Sequence, residues 1–297
     1  MLSSDILLER LKLKRAVSLW RTLFFVILAL CIIFSGINNL TKKQSQYIAR
    51  VTISGDISQN SYDTKKLQLL ANSKNVNAVI LNINSPGGTA FAGEDLYHHI
   101  KQIAQKKPTV AVIQTIATSA AYMIILPAEH IVARNNSLTG SIGAVVFAPN
   151  ASELLNKIGV KVDTIRKGDL KALPLPFEQP NNATKKMLSS IIDDNYDTFL
   201  DAVKKHRTIP SHLVKTIADS RIFTGRQAKA SGLIDAIGGE EEAIEWLKKK
   251  HKITSPVRDF QLKAQAHPLK SLLDKQVFSS IKLWVYNNVS SYMTMYK

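Results

Sequence analysis

Three short apolar runs, Tyr47–Ile53, Ala78–Ile83 and Thr109–Gln114, are each bounded by polar or turn-forming residues, the pattern of buried strands. Between the last two, Ala92–Gln105 alternates apolar and polar residues at helical spacing. Strand, helix, strand in that order predicts a βαβ unit with a right-handed crossover and a parallel sheet, and so an α/β fold. Further strands are expected at His130–Arg134, Ile142–Phe147 and Lys161–Arg166. Asn181–Arg207 reads as one long helix ended by Pro210, and a second helix is expected at Gly239–Lys250 after the Gly238-Gly239 break. The chain shows no internal repeat and no low-complexity tract.

The hydropathy pattern changes at both ends. Thr22–Ile37 (TLFFVILALCIIFSGI) is uncharged and follows Arg10, Lys12, Lys14, Arg15 and Arg21. With Trp20 and Leu40 it approaches the ~20 residues a helix needs to cross a bilayer. A cleaved signal peptide is the alternative, but the run is long for one and Phe34-Ser35-Gly36 is a poor cleavage site. Five basic residues before the run, against Lys42 and Lys43 after it, place the N-terminus in the cytoplasm and the large domain outside. Beyond Lys252 the chain is basic and amphipathic, with Trp284, Tyr286, Tyr292 and Tyr296 near its end. This tail suits a membrane surface or a neighbouring subunit, and the sequence does not choose. The expected plan is a basic N-terminus (1–21), an anchor (22–40), a catalytic domain (45–250) and a tail (251–297).

Composition narrows the classes. Of 297 residues, 45% are hydrophobic and 21% charged, as in an ordered globular protein. The net charge of +16 invites a nucleic-acid reading, yet the excess crowds the two ends, beside apolar segments. That placement suits anionic lipid headgroups better than bases, and no zinc-finger or ribonucleoprotein motif is present, so no nucleic-acid partner is expected. The single Cys31 permits no intrachain disulfide.

Candidate chemistry lies after two of the strands. Asn84-Ser85-Pro86-Gly87-Gly88 follows Ala78–Ile83, and its glycines let backbone N–H groups approach a ligand, as an oxyanion hole requires. An ordinary Pro-Gly turn explains the same residues. Ala117-Thr118-Ser119-Ala120-Ala121-Tyr122 follows Thr109–Gln114 and leads into helical composition, placing Ser119 at a strand-to-helix turn. A nucleophile there has a helix N-terminus behind it, whereas the bland reading is an N-cap serine. A serine nucleophile needs a base. None of His98, His99, His130, His206, His212, His251 and His267 carries the context of a Ser-His-Asp triad. A lysine serves only where desolvation or a neighbouring cation favours its neutral form. Lys171, within Gly168-Asp-Leu-Lys171-Ala-Leu-Pro-Leu-Pro176, sits in a loop after an expected strand, beside apolar residues able to bury its stem. No Walker motif is present.

Taken together these segments resemble the signal peptide peptidase A family, Ser-Lys peptidases of the Clp protease/crotonase fold built from repeated β-β-α units. The likeness runs from about Val51 to Leu247. It implies Ser119 as nucleophile, Lys171 as general base, Gly88 and Ala120 N–H groups as the oxyanion hole, and Ser141, within Thr139-Gly-Ser141-Ile-Gly143, as the residue positioning the lysine. Asp219-Ser-Arg-Ile-Phe-Thr-Gly-Arg226-Gln-Ala, with Gly232-Leu-Ile-Asp235, matches the family's closing segment. Many members carry Gly-Gly after the nucleophile, where this chain has Ala120-Ala121; the backbone N–H survives that change. The resemblance further implies peptide substrates such as signal-peptide remnants, no cofactor, an alkaline pH optimum, a location on the outer face of the bacterial cytoplasmic membrane, and a ring-shaped homo-oligomer in which neighbours help complete the sites. Three rival readings stay open: a crotonase-type acyl-CoA enzyme, a non-catalytic membrane scaffold, and a stomatin-associated membrane peptidase. Hydrolysis of a peptide ester separates the first from a peptidase, and the second predicts no acylation by serine-directed reagents and no phenotype from Ser119→Ala. The third usually has more membrane helices after its domain, where this chain has only the weak segment Val277–Met295.

Overall fold

The computed structural model describes residues 14, 17–31, 45–59 and 61–262, in two units that divide at Gln46. The first is a helix over 17–31, α1, with exposed side chains. Among the described residues, no helix is long and apolar enough to cross a membrane. The expected anchor at 22–40 lies outside the described residues from 32 onward, as do Val277–Met295 and the rest of the tail after 262.

The second unit begins with strict alternation: β1 (Tyr47–Ser54), α2 (Thr64–Asn72), β2 (Val76–Ser85), α3 (Ala90–Ala104), β3 (Thr109–Thr118), α4 (Ala120–Ile125) and β4 (His130–Ala133). There follow β5 (Leu138–Gly140), α5 (Ser152–Lys157), α6 (Asn182–His206), α7 (Val214–Ala218) and β6 (Ile222–Thr224). The described chain closes with α8 (Gly225–Ala230), β7 (Ala236–Ile237), α9 (Glu240–His251) and β8 (Val257–Phe260). The sheet order is β6-β5-β3-β2-β1-β8, with β4 beside β3 and β7 beside β4. All pairs are parallel except β5 with β6.

The sheet forks at β3. Val110–Ile113 pairs with β4, whereas Ile116–Thr118 pairs with β5, and the β2–β3 register shifts between Ile83 and Ser85. The fork opens at the C-terminal end of β3, where the next residue is Ser119. The central strands β1 to β4 are largely buried on both faces, as parallel sheets require. Ile48, Ile80, Val110, Val112 and Val132 pack against Ala243 and Leu247 of α9. The alternate residues Val51, Ile53, Leu81, Ile83 and Ile113 pack under Leu67 of α2 and Ile100 and Ile103 of α3. Truncating one such isoleucine to alanine costs about 2–5 kcal/mol.

The βαβ unit β2–α3–β3 is as expected, and so are α6 and α9 within a residue or two. Two expected strands are not. Ile142–Phe147 and Lys161–Arg166 have strand-forming side chains but no neighbouring strand, and Val145, Phe147 and Ile165 stand 68%, 85% and 101% exposed. β-Propensity without a pairing edge does not make a strand. The second unit's sheet takes in residues beyond 250, where β8 adds to β1 and Leu262 is buried.

Candidate active site

The turn from β3 into α4 places Ser119 at φ 54°, ψ −130°, a conformation costly for a residue with a Cβ. Four contacts hold it. The Ser119 N–H donates to Gly140 C=O at 2.9 Å, across the β3–β5 fork. Thr118 Oγ1 donates to Pro86 C=O at 2.9 Å, tying the turn to the loop after β2. All six α4 residues are buried, and the Tyr122 hydroxyl donates to Leu233 C=O at 2.7 Å; burial pushes that phenol well up from its ordinary value. Fourth, Gly87, at φ 110°, packs directly on the turn: a Cβ there would lie 2.9 Å from Ser119 Cβ and 3.1 Å from Ala120 N. Ser119 is the N-cap of α4, but its side chain makes no capping hydrogen bond. The capping reading therefore does not describe this serine.

The loop after β2 is held just as tightly. Ile57 N–H donates to Gly87 C=O at 2.8 Å, and Thr89 N–H donates to Ile57 C=O at 2.9 Å. This bridge passes over the Gly88 N–H without using it, and Gly88 cannot carry a side chain, because a Cβ would lie 1.8 Å from Ile57 C=O. Buried Ser85 closes the turn, its hydroxyl accepting from Gly87 N–H at 3.1 Å. The α4 bonds begin at Tyr122 and Met123, which both donate to Ser119 C=O, so Ala120 N–H is one of the free donors of a helix start. Gly88, Ser119 and Ala120 together line one cavity of about 240 Å³. Its walls are chiefly apolar (Met123, Val145, Val146, Ile191, Phe199), with Glu94 its one charged side chain.

The other expected residues fall elsewhere. Ser141 begins the segment after β5 at φ 53°, its N–H donating to Arg221 C=O at 2.9 Å. Two residues on, Gly143 reaches the cavity and packs under the Ser220 hydroxyl, which donates to Ile142 C=O at 2.6 Å. Lys171 lies in an exposed turn over 168–172 and is not among the residues lining the cavity; its stem is not buried within this one copy. The histidines do find acids: His98 with Glu94, His99 with Asp95, His251 with Glu129, and His130 4.0 Å from Asp235. None of the four histidines lines the cavity. Among the described residues, no group of three or more His, Cys, Asp or Glu is placed to hold a metal. Sequence reasoning missed the α6 wall and the straps from Thr118 and Ser85, whose only signals were adjacency to the two motifs.

A strained serine at the C-terminal edge of a parallel sheet, lining one cavity with the Gly88 and Ala120 turns, has the local geometry that a nucleophile of acyl transfer requires. The model of peptidase family S49 matches residues 101–254 and that of Clp protease residues 39–137, and the chain belongs to family S49, whose members are serine-type proteases. Two relatives carry provisional designations as proteases. The one from Methanocaldococcus jannaschii is 34% identical over 66% of this chain and 63% of its own length, and the one from Synechocystis is 35% identical over 67% and 72%. A protein of Enterococcus faecium with a provisional designation as a signal peptide peptidase is 31% identical over 75% of this chain and 70% of its own. The matched part thus spans less than two thirds of the archaeal relative.

Proposed function

We propose that this chain is a membrane-anchored serine endopeptidase working through a Ser119–Lys171 pair. The observation that carries the reading is the uncapped Ser119 hydroxyl, held in a strained turn over a cavity shared with Gly88 and Ala120. Neutral Lys171 takes the hydroxyl proton as Oγ attacks a peptide carbonyl. The Gly88 and Ala120 N–H groups receive the oxyanion, each donor contributing about 2.7–4 kcal/mol. The amine leaves with the proton, and water then hydrolyses the acyl-enzyme. Ser141 positions the lysine. Because the base works neutral, activity rises towards alkaline pH.

Two features support an assembled enzyme. Lys171 is exposed and away from the Ser119 cavity of its own copy, and the segment carrying it displays Val145, Phe147, Leu154, Ile158 and Ile165 to solvent. Exposed apolar patches of this kind mark association surfaces. In the reading proposed, copies join in a ring through this segment and each lysine serves a neighbour's serine. The anchor at 22–40, entered from the cytoplasmic side, puts the domain on the outer face of the membrane, where signal-peptide remnants are the substrates; the designation of the Enterococcus relative supports this class. The test is intact-mass labelling of the assembled full chain with a fluorophosphonate, beside Ser119→Ala and Lys171→Ala variants. Labelling of wild type alone supports the reading. No labelling of a folded, assembled wild type overturns it in favour of a non-catalytic scaffold or an acyl-CoA enzyme.

A further inference from the structure

The two ends of the parallel sheet differ in charge. The loops entering the strands form one surface, as their mutual contacts show. Tyr47 N–H donates to Asn75 C=O, Ile48 N–H to Pro256 C=O, Val79 N–H to Pro108 C=O and Glu129 N–H to Thr109 C=O, all at 2.9 Å. Asn77 Nδ2 reaches Ser255 Oγ at 2.7 Å, and Lys106 Nζ reaches Asn72 Oδ1 at 2.7 Å. On this surface Lys74, Lys106, Lys248, Lys250 and Lys252 are exposed. The only acid in the loops 72–77, 105–109, 127–130 and 248–257 is Glu129, and His251 already pairs with it at 2.9 Å. The opposite end, where Ser119 opens, carries Asp56, Asp63, Glu94 and the run Glu240–Glu242, of which Asp63 pairs with Lys66 and Glu240 with Arg50.

Helix dipoles explain part of this polarity. Helices in a parallel α/β unit run against the strands, so their C-termini collect at the strand-entry end and favour cations there. Lys252 is itself the C-cap of α9, but Lys74 and Lys106 each follow the C-cap of their helix, and α2 has no basic residue in its last turn, so the dipoles leave part of the excess unexplained. The surplus suits an anionic partner. Chain connectivity indicates which: β1 starts at this end, at Tyr47, a few residues after Lys42, Lys43 and the apolar run 22–37.

We infer that the strand-entry end of the sheet is a docking surface for an anionic lipid bilayer, which holds the Ser119 end facing away from the membrane. This rests on the anchored reading of the protein. Each lysine near an anionic surface adds a favourable attraction that salt screens strongly.

The test uses the wild-type full chain reconstituted into vesicles of phosphatidylcholine alone or with phosphatidylglycerol, at low and high salt. Flotation is scored first, then acetylation of each lysine by mass spectrometry. The expected result is flotation with both vesicles, and several-fold protection of Lys74, Lys106, Lys250 and Lys252, relative to Lys185 and Lys186 on α6, only with phosphatidylglycerol at low salt. Lys250→Glu with Lys252→Glu should then restore reactivity at Lys74 and Lys106. Equal reactivity in both vesicles, with flotation intact, overturns the docking surface and leaves the anchor standing. Flotation only with phosphatidylglycerol keeps the docking surface and removes the anchor, and flotation with neither removes both. Stronger protection by duplex DNA than by phosphatidylglycerol at equal salt also overturns the lipid assignment.

Discussion

The turn that carries Ser119 and the segment that carries Lys171 are built to opposite standards. Around Ser119 every α4 side chain is buried, the turn is strapped to three other segments, and two glycines admit contacts that no Cβ would allow. From Ala144 to Pro180 there is one short helix with no buried residue, no strand, and a series of apolar side chains facing solvent. The proposed nucleophile and oxyanion donors therefore share one cavity within one copy, and the proposed base lies outside it. A rigid half and an unfinished half suit an enzyme that is switched on by assembly.

The sharpest way to break this contrast is to separate the two halves. Ser119→Ala and Lys171→Ala should each lower peptide hydrolysis by a factor on the order of 10³ or more. Mixing the two inactive chains before assembly should restore roughly a quarter of wild-type activity if serine and lysine meet across copies in a closed ring. No recovery, in assemblies shown to be mixed, would return the pair to a single copy. Gly87→Ala comes next: its methyl would press on Ser119 Cβ, and we expect kcat to fall about 10²–10³-fold, the scale of a lost oxyanion donor, in a protein that still melts cooperatively.

Phe147→Asp probes the unfinished half alone. Since this ring is 85% exposed, its loss should change monomer stability by no more than about 0.5 kcal/mol while sedimentation shows a smaller assembly. A lower unfolding midpoint with unchanged assembly would contradict that division. The smallest effect concerns two ion pairs, Arg207–Asp235 in the rigid half and Arg166–Glu178 in the other. Burial alone would raise the Asp235 carboxyl. The bidentate hydrogen bonds and charge of Arg207, with Ile131 N–H, outweigh it and hold the group below its usual value. A carboxyl depressed in this way stabilises the fold above its unfolded value of about 3.9 and loses that contribution as pH falls through the folded value. The urea midpoint should therefore decline below about pH 4, and Asp235→Asn should flatten that acid limb; Glu178, held down by hydrogen bonds from Thr164 and Arg166 but at a more solvated site, should on Glu178→Gln flatten it less.

The βαβ frame was legible because β2, α3 and β3 have unambiguous periods and because burial on both faces leaves continuous apolar runs. Ser119 was legible as a position, since the apolar strand ends just before it. Its backbone strain was not, because what forces φ to 54° is the fork between β4 and β5 and the pressure of Gly87, contacts between segments distant in sequence. The failures share one cause: Ile142–Phe147 and Lys161–Arg166 read as strands from composition, and only the fold reveals that no edge is available to them. For the same reason β8 escaped notice, as four residues with two charges become a strand only through the edge of β1.

Ala120 departs from the glycine common after such nucleophiles, and the structure shows where its methyl went. A Cβ on Gly93, one turn into α3, would come within 2.7 Å of Ala120 Cβ. The two positions share room for a single methyl, so Gly93 can take a side chain only where Ala120 gives its own up. Gly93→Ala should be harmful in this chain and tolerated beside Ala120→Gly. Descendants of this sequence are thus expected to exchange the pair together, a correlated drift that would register the contact between α3 and the nucleophile turn in any sufficiently deep collection of related sequences.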